Sequence, residues 1–253
     1  MEQYGIDVSV FQGNINWETV KAAGKNFVMI RAGWANSDGS ITPDTKYQVN
    51  MNGALSAGIP AGVYLYSYLT EPVFAQTAAK NLLKMVENTS LLYPVVLDME
   101  DRLYINLPRE QNTAVAQAFL SEIQNGNYYS MLYTYASFAN NYLNMQELRA
   151  YDFWLAEYST KPSYKGEYGI WQYTGNGRCD GIPTVCSLDI AYQDYPTIIQ
   201  QAGLNRPLHP CIPAEEVKKL QQTIADLQNQ LQTVTSEKNT YLKQITEIRN
   251  ILK

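Results

Sequence analysis

The chain has 253 residues, with 19 Lys and Arg against 24 Asp and Glu, a formal net charge of -5, and 45% hydrophobic residues. That composition suits a folded globular chain of one large domain plus an appendage, and its apolar runs fall short of the roughly 20 residues that a membrane-spanning helix needs. The acidic balance gives neither nucleic acid nor an anionic membrane a sequence-independent grip, so neither is expected as a partner.

A single histidine, His209, lies in the Pro-rich stretch 204–213. Zinc hydrolases recruit two or three imidazoles, and Ser-His-Asp or Cys-His hydrolases need one held rigidly beside the nucleophile, so these classes are excluded. Acid–base chemistry falls to carboxylates, and no cofactor or metal is expected. Three cysteines, Cys179, Cys186 and Cys211, are an odd number for a disulfide framework and read as thiols, with a Cys179–Cys186 bridge as the alternative. The first residues have neither a basic start nor an apolar core, which implies synthesis in the cytoplasm without a signal peptide.

Short apolar runs alternate with helical periodicity, the pattern of βα units around a parallel sheet. Eight strands are expected at 4–10, 27–32, 62–68, 93–99, 128–135, 153–157, 169–173 and 187–192. Five helices are expected at 16–23, 43–57, 71–87, 108–124 and 136–148, with Gly24, Gly58 and Gly126 as positive-φ C-caps and Pro43, Pro72 and Pro108 near first turns. No helix is expected between the sixth and eighth strands. The first strand runs into Asp7-Val-Ser-Val-Phe-Gln-Gly13 rather than a Gly-rich phosphate turn, which favours an irregular, closed TIM-like barrel over an open doubly wound sheet.

Beyond Pro213 the chain has no glycine or proline and fits a heptad. Position a takes Val217, Ile224, Leu231, Lys238, Ile245 and Leu252, and position d takes Leu220, Leu227, Val234, Tyr241 and Ile248. A helix over 215–253 would be roughly 58 Å long, more than a barrel can cover, so a homo-oligomeric coiled coil is expected. The expected organisation is a catalytic barrel at 1–203, a linker at 204–214 and an oligomerisation helix at 215–253. Residues 214–253 carry a net charge of +1 and leave -6 to the rest, so the barrel would not be drawn electrostatically to anionic wall polymers.

In a barrel of this kind, acids at the carboxyl ends of strands carry the chemistry. Asp7, Asp98, Glu100 and Asp189 all occupy such positions. Asp98 and Glu100 are two apart, so on an extended strand they share a face with Cα atoms about 6.6 Å apart. The last strand should pair with the first and bring Asp189 beside Asp7. A carboxylate-only site suits glycoside hydrolysis, in which one acid is kept protonated by burial and by its charged neighbours. Divalent-metal phosphoryl chemistry fits less well, because Arg31 is the one basic residue well placed to clamp phosphate. Tyr64, Tyr66, Tyr133, Trp34 and Trp171, in or just after strands, are candidates for stacking against sugar.

Five segments together resemble glycoside hydrolase family 25, the Chalaropsis-type muramidases. They are Gly5-Ile-Asp-Val-Ser-Val-Phe-Gln-Gly13, Phe27-Val-Met-Ile-Arg-Ala-Gly33, Ala61-Gly-Val-Tyr-Leu-Tyr-Ser-Tyr68, Pro94-Val-Val-Leu-Asp-Met-Glu100 and Ile170-Trp-Gln-Tyr-Thr174 ahead of Asp189. The resemblance spans about residues 4–195 and implies a barrel of eight strands and five helices. It also implies cleavage of the β-1,4 bond between N-acetylmuramic acid and N-acetylglucosamine in bacterial peptidoglycan. By position, Glu100 resembles the general acid and Asp98 the carboxylate that assists at the anomeric centre, by direct attack or by orienting the substrate's acetamido group. Asp7 and Asp189 would complete the pit, and Tyr64, Tyr66, Arg31, Trp34, Tyr133 and Trp171 would contact substrate. Where the family often has a His-Phe pair after the third-strand tyrosine, this chain has Leu65-Tyr66. Many such enzymes are phage endolysins, and the same role is expected here. The alternative is a catalytically silent glycan-binding or virion scaffold assembled by the coil.

Overall fold

The computed structural model describes residues 2–205 and 214–251. The chain divides into two compact units, Met1–His209 and Pro210–Lys253. The linker residues 206–213, with His209 and Cys211, lie outside the described residues.

The first unit is a closed eight-stranded barrel. Its strands are β1 (Gln3–Val8), β2 (Phe27–Ala35), β4 (Ala61–Ser67), β5 (Val95–Asp98), β6 (Ser130–Tyr135), β7 (Asp152–Ala156), β8 (Ile170–Gly177) and β9 (Cys186–Ala191). Each pairs with the next in that order, and β9 pairs back onto β1 to close the ring. A ninth strand, β3 (Ile41–Pro43), lies outside the ring, antiparallel to the end of β2.

The barrel is mixed rather than wholly parallel, because β9 runs antiparallel to both β8 and β1. The 178–185 connection is too short for the crossover of a dozen or more residues that a parallel strand requires. Cys179 in this connection and Cys186 at the start of β9 are free buried thiols.

The five expected helices form as α1 (Trp17–Ala22), α2 (Tyr47–Ser56), α3 (Pro72–Val86), α4 (Arg109–Asn125) and α5 (Ala136–Tyr142). Helix α2 starts later than expected, because Thr42 and Pro43 are paired with Trp34 and Gly33. Gly24 and Gly58 take positive φ, whereas Gly126 does not, and Asn127 adopts the left-handed conformation in its place.

A further helix, α6 (Tyr195–Ala202), forms where none is expected, capped by the Asp194 carboxylate and ended by Gly203 at φ 69°. It plugs the amino-terminal mouth of the barrel. Tyr195 and Ile199 join the interior cluster with Phe27, Met29, Tyr93 and Trp154, and the Tyr195 hydroxyl donates to Asp152 at 2.6 Å. Leu204 and Asn205, expected in the linker, belong to this plug. Asn205 is buried, donating to the Tyr93 carbonyl and accepting from the Tyr129 amide.

Strand alternation sorts the side chains. Ile6, Val28, Ile30, Val63, Leu97 and Leu132 pack outward against the helices, and Phe27, Met29, Val96, Met131 and Ile170 fill the interior. The interior is narrow enough to demand glycine, since a Cβ at Gly5 would meet the Phe27 ring at 2.4 Å. The filled lower barrel leaves polar residues to line its upper, carboxyl-terminal mouth.

The second unit is one helix, α7 (Ala214–Ile251). The described heptad side chains Ile224, Leu227, Leu231, Val234, Lys238, Tyr241 and Ile245 are all exposed. Those of Val217, Leu220, Ile248 and Leu252 lie outside the described residues.

Candidate active site

Strand β5 ends at Asp98, whose side chain follows Val96 into the barrel, and Glu100 lies two residues beyond, in the loop above. A 3-10 turn, Arg102–Asn106, starts at once and is capped by Asp101, which accepts from the Leu103 amide. The Met99 amide donates to the Tyr133 carbonyl and its carbonyl accepts from the Thr134 hydroxyl, so the backbone between the two acids is held on both sides by β6.

Asp98 is buried, and its Oδ1 has no hydrogen-bond partner among the described residues. Burial first, then the charges of Glu100 and Asp7, push its carboxyl well above the usual range. Burial also raises Glu100. The Tyr133 hydroxyl, 3.4 Å from Glu100 Oε2, works against that rise by favouring the carboxylate, and the charge of Asp101 adds to it.

Asp7 and Asp189 meet across the β1–β9 seam, where Gly5 pairs with Asp189 and Asp7 with Ser187. Asp189 is fully buried, and its Oδ2 has no hydrogen-bond partner among the described residues. Asp189 is pushed well up by burial and by the Asp7 charge, and its Oδ1 accepts from Trp154 Nε1 at 2.9 Å. Burial raises Asp7 to about 6 against hydrogen bonds from Gln172 and Ser187 that favour its charge.

Most of the aromatic candidates stand around these acids. Tyr64 is half-buried, close enough to feel the charges of Asp7 and Asp98, with its ring edge-on to Trp154 at 6.0 Å. Tyr66 is partly buried and donates to Asp101 Oδ2 at 3.0 Å. Tyr133 bridges Glu100 and Gln172, within 3.4 and 2.9 Å of their oxygens. Arg31 is paired with buried Asp44 at 2.8 Å, its guanidinium 5.0 Å from the Phe11 ring and 5.9 Å from the Trp34 ring.

Trp171 is not brought to the pit. It packs in the outer layer and donates its indole N–H to the Glu157 carbonyl at 2.9 Å. The next residue on β8, Gln172, faces inward and donates to Asp7 at 2.6 Å. Sequence reasoning placed the site on this strand and chose the wrong face. It also missed Tyr158, which donates to Gln172 at 2.9 Å, and Asp44, which accepts from Arg31 at 2.8 Å.

From the Glu100 end the site opens into a cavity of about 540 Å³ lined by Tyr133, Tyr135, Asn140, Glu157 and Tyr158. The arrangement can protonate an oxygen entering this cleft from Glu100, stabilise positive charge beside Asp98, and hold neighbouring hydroxyls with Asp7, Gln172 and Tyr64.

Comparison with known proteins agrees with this architecture. The chain is 27% identical over 186 residues to an autolytic lysozyme of Clostridium acetobutylicum, covering 73% of this chain and 54% of that protein. It is 28% identical over 193 residues to lysozyme M1 of Streptomyces globisporus, covering 70% of this chain and 64% of the relative. It thus spans less than two thirds of either protein. The crystal structure of a bacterial lysozyme from Streptomyces coelicolor superposes with a TM-score of 0.67 at 25% identity, covering 79% of this chain and 96% of that one. Residues 6–182, which include Asp7, Asp98 and Glu100, match the sequence profile of Glycosyl hydrolases family 25, and the chain belongs to that family.

Proposed function

We propose that the barrel is an N-acetylmuramidase, cleaving the β-1,4 bond between N-acetylmuramic acid and N-acetylglucosamine in bacterial peptidoglycan. The observation that carries this reading is the crowding of Asp7, Asp98, Glu100 and Asp189 at one barrel mouth, all with carboxyls raised chiefly by burial.

Burial raises both carboxyls, with the charges of Glu100 and Asp7 adding to the rise at Asp98 and the Tyr133 hydroxyl favouring the Glu100 carboxylate. Positive charge developing at the anomeric carbon favours Asp98 as carboxylate, while the leaving oxygen takes a proton from Glu100. The glycosidic C–O bond breaks as that proton moves. Asp98 then either attacks the anomeric carbon or orients the substrate acetamido group that does so. Glu100, now a carboxylate, takes a proton from the water that completes hydrolysis. Tyr64, Tyr66, Trp34 and Arg31 flank the sugar path, and Asp7 and Asp189 hold the pit's hydrogen bonds.

The homo-oligomer belongs to the same proposal. A row of exposed Ile224, Leu227, Leu231, Val234, Tyr241 and Ile245 along α7 matches a coiled-coil seam, with exposed Lys238 fixing register at an a position. Linking catalytic barrels in this way raises their effective concentration at a polymeric wall. The protein would act there after release from the cell that makes it, as an endolysin does. No described helix is long and apolar enough to cross a membrane.

Mass analysis of digested peptidoglycan tests the activity. New reducing ends on N-acetylmuramic acid support it, and new ends on N-acetylglucosamine, or none, overturn it. Glu100→Gln should remain folded and lose about two to four decades of turnover. Sedimentation of the full chain tests the oligomer, and a monomer at micromolar concentration rejects it.

A further inference from the structure

A cavity of about 1040 Å³ opens at the amino-terminal rim of the barrel, at the opposite end from the catalytic pit. It lies beside the α6 plug, between the residues ahead of β6, β7 and β8 and those that follow β9. The catalytic chemistry uses none of its lining.

One wall is a run of aromatic rings. Phe153 and Tyr164 lie 5.4 Å apart by centroid, Tyr164 and Tyr168 6.5 Å, and Tyr168 and Tyr192 5.8 Å. Tyr168 is half-buried and Tyr192 is 37% exposed, so rings remain accessible in the cleft. Gln146, Arg149, Glu167 and Gln193 supply amides and charges of both signs along the remaining lining. The floor is held by Asp152, which accepts from the hydroxyls of Tyr129 and Tyr195 and from the Phe153 amide at 3.2, 2.6 and 2.7 Å.

Flat rings beside planar hydrogen-bonding groups match a pyranose, which has an apolar face and a polar rim. An anionic polymer is a poor match, since Arg149 is offset by Asp152 and Glu167. A purely apolar ligand would leave the amides and charges desolvated without partners. The volume is at the upper end for small-ligand sites, enough for more than one sugar ring.

We infer that this cleft is a second glycan-binding site, which takes uncleaved N-acetylated sugar chains of the wall and tethers the barrel while the pit works on another strand. The inference rests on the muramidase reading for the identity of the polymer. Because the two sites open at opposite ends of the barrel, they engage separate strands, and their affinities combine through avidity.

The test uses the full chain in a Glu100→Gln background, with cosedimentation on purified insoluble peptidoglycan as the readout. Tyr168→Ala with Tyr192→Ala should weaken retention by about fivefold, as expected for lost ring stacking. In the Glu100 parent, the same pair should slow turnover of insoluble wall to a similar degree and leave hydrolysis of soluble glycan fragments within twofold. Retention unchanged by the pair overturns the site. An equal loss on soluble fragments also overturns it, since that marks a general structural defect. If the tyrosine pair fails to fold, Glu167→Ala with Gln193→Ala, on loop residues, should weaken retention in the same direction, and no change there rejects the inference. Failure of the muramidase reading appears separately, as an absence of new reducing ends from soluble and insoluble substrate alike.

Discussion

Gln172 Nε2 donates a 2.6 Å hydrogen bond to Asp7 Oδ2, and its amide oxygen accepts from the hydroxyls of Tyr133 and Tyr158 at 2.9 Å each. The two hydroxyls require an acceptor, which fixes the amide so that its NH₂ group faces Asp7. One neutral side chain thereby joins the acid on β1 to the tyrosine that touches Glu100.

Gln172→Leu removes both connections while keeping similar bulk. Because the Gln172 bond favours the Asp7 carboxylate, its loss should move the Asp7 titration upward from about 6. Tyr133 loses its acceptor beside Glu100, and turnover should fall about 10- to 100-fold, the scale seen when an orienting partner is removed. Carboxyl NMR and steady-state kinetics read the two effects. An unchanged Asp7 titration would show that Gln172 does not position the pit.

The acids of the pit oppose folding at neutral pH. Asp7 rises from 3.8 to about 6 on folding, chiefly by desolvation, so the folded state binds its proton more tightly than the unfolded state does. Its stabilising contribution is complete below about pH 4 and is lost as pH rises through about 6. The corresponding free energy is at most about 3 kcal/mol. Denaturant unfolding should therefore show Asp7→Asn as more stable than the parent at pH 7 and closer to it at pH 4. A variant less stable than the parent at pH 7 would contradict this sign. Asparagine retains an oxygen to accept from Gln172, so the comparison isolates the charge.

Much of this site was legible in the sequence because two of its signals are local. An apolar run ending in Asp98-Met-Glu100 specifies a strand and the acids at its end, and Gly5-Ile-Asp7 does the same for β1. Strand direction is less legible, since side-chain alternation is the same in either sense, and only the shortness of 178–185 pointed to an antiparallel β9. The choice between Trp171 and Gln172 depends on parity within a strand whose pairing with β9 is irregular beyond Gln172. Helix α6 had its signals, with Asp194 as N-cap, Pro196 in the first turn and Gly203 after the end. Asp44 was out of reach, because its partner Arg31 and the Val10 amide it accepts from meet only in the folded chain.

Tyr133 sets the protonation of Glu100 from the side. Its hydroxyl favours the Glu100 carboxylate, so Tyr133→Phe should raise the Glu100 pKa further and keep the acid form to higher pH. The alkaline limb of kcat/KM should move up in pH, with a modest loss of turnover at the optimum. A limb that stays in place would assign that titration to another group.

Asp44 and Phe11 should separate stability from substrate affinity on one side of the cleft. Buried Asp44 pairs with Arg31 and also accepts from the Val10 amide at 3.0 Å, so it ties the turn Val10–Gln12 to β2. That turn is closed by a reciprocal Ser9–Gln12 capping box and presents Phe11 at 71% exposure, stacked on the Arg31 guanidinium. Asp44→Ala would leave Arg31, whose side chain is 13% exposed, without its counter-ion, at a cost of about 3 kcal/mol or more. Phe11→Ala removes an exposed ring that supports no core packing, so thermal unfolding should change by about 0.5 kcal/mol or less. If the ring is a platform for sugar, Phe11→Ala should raise KM several-fold on glycan with little change in kcat, because stacking contributes equally before and during bond cleavage. Equal losses in both parameters would place Phe11 in the chemical step, and no kinetic change would remove it from the substrate path.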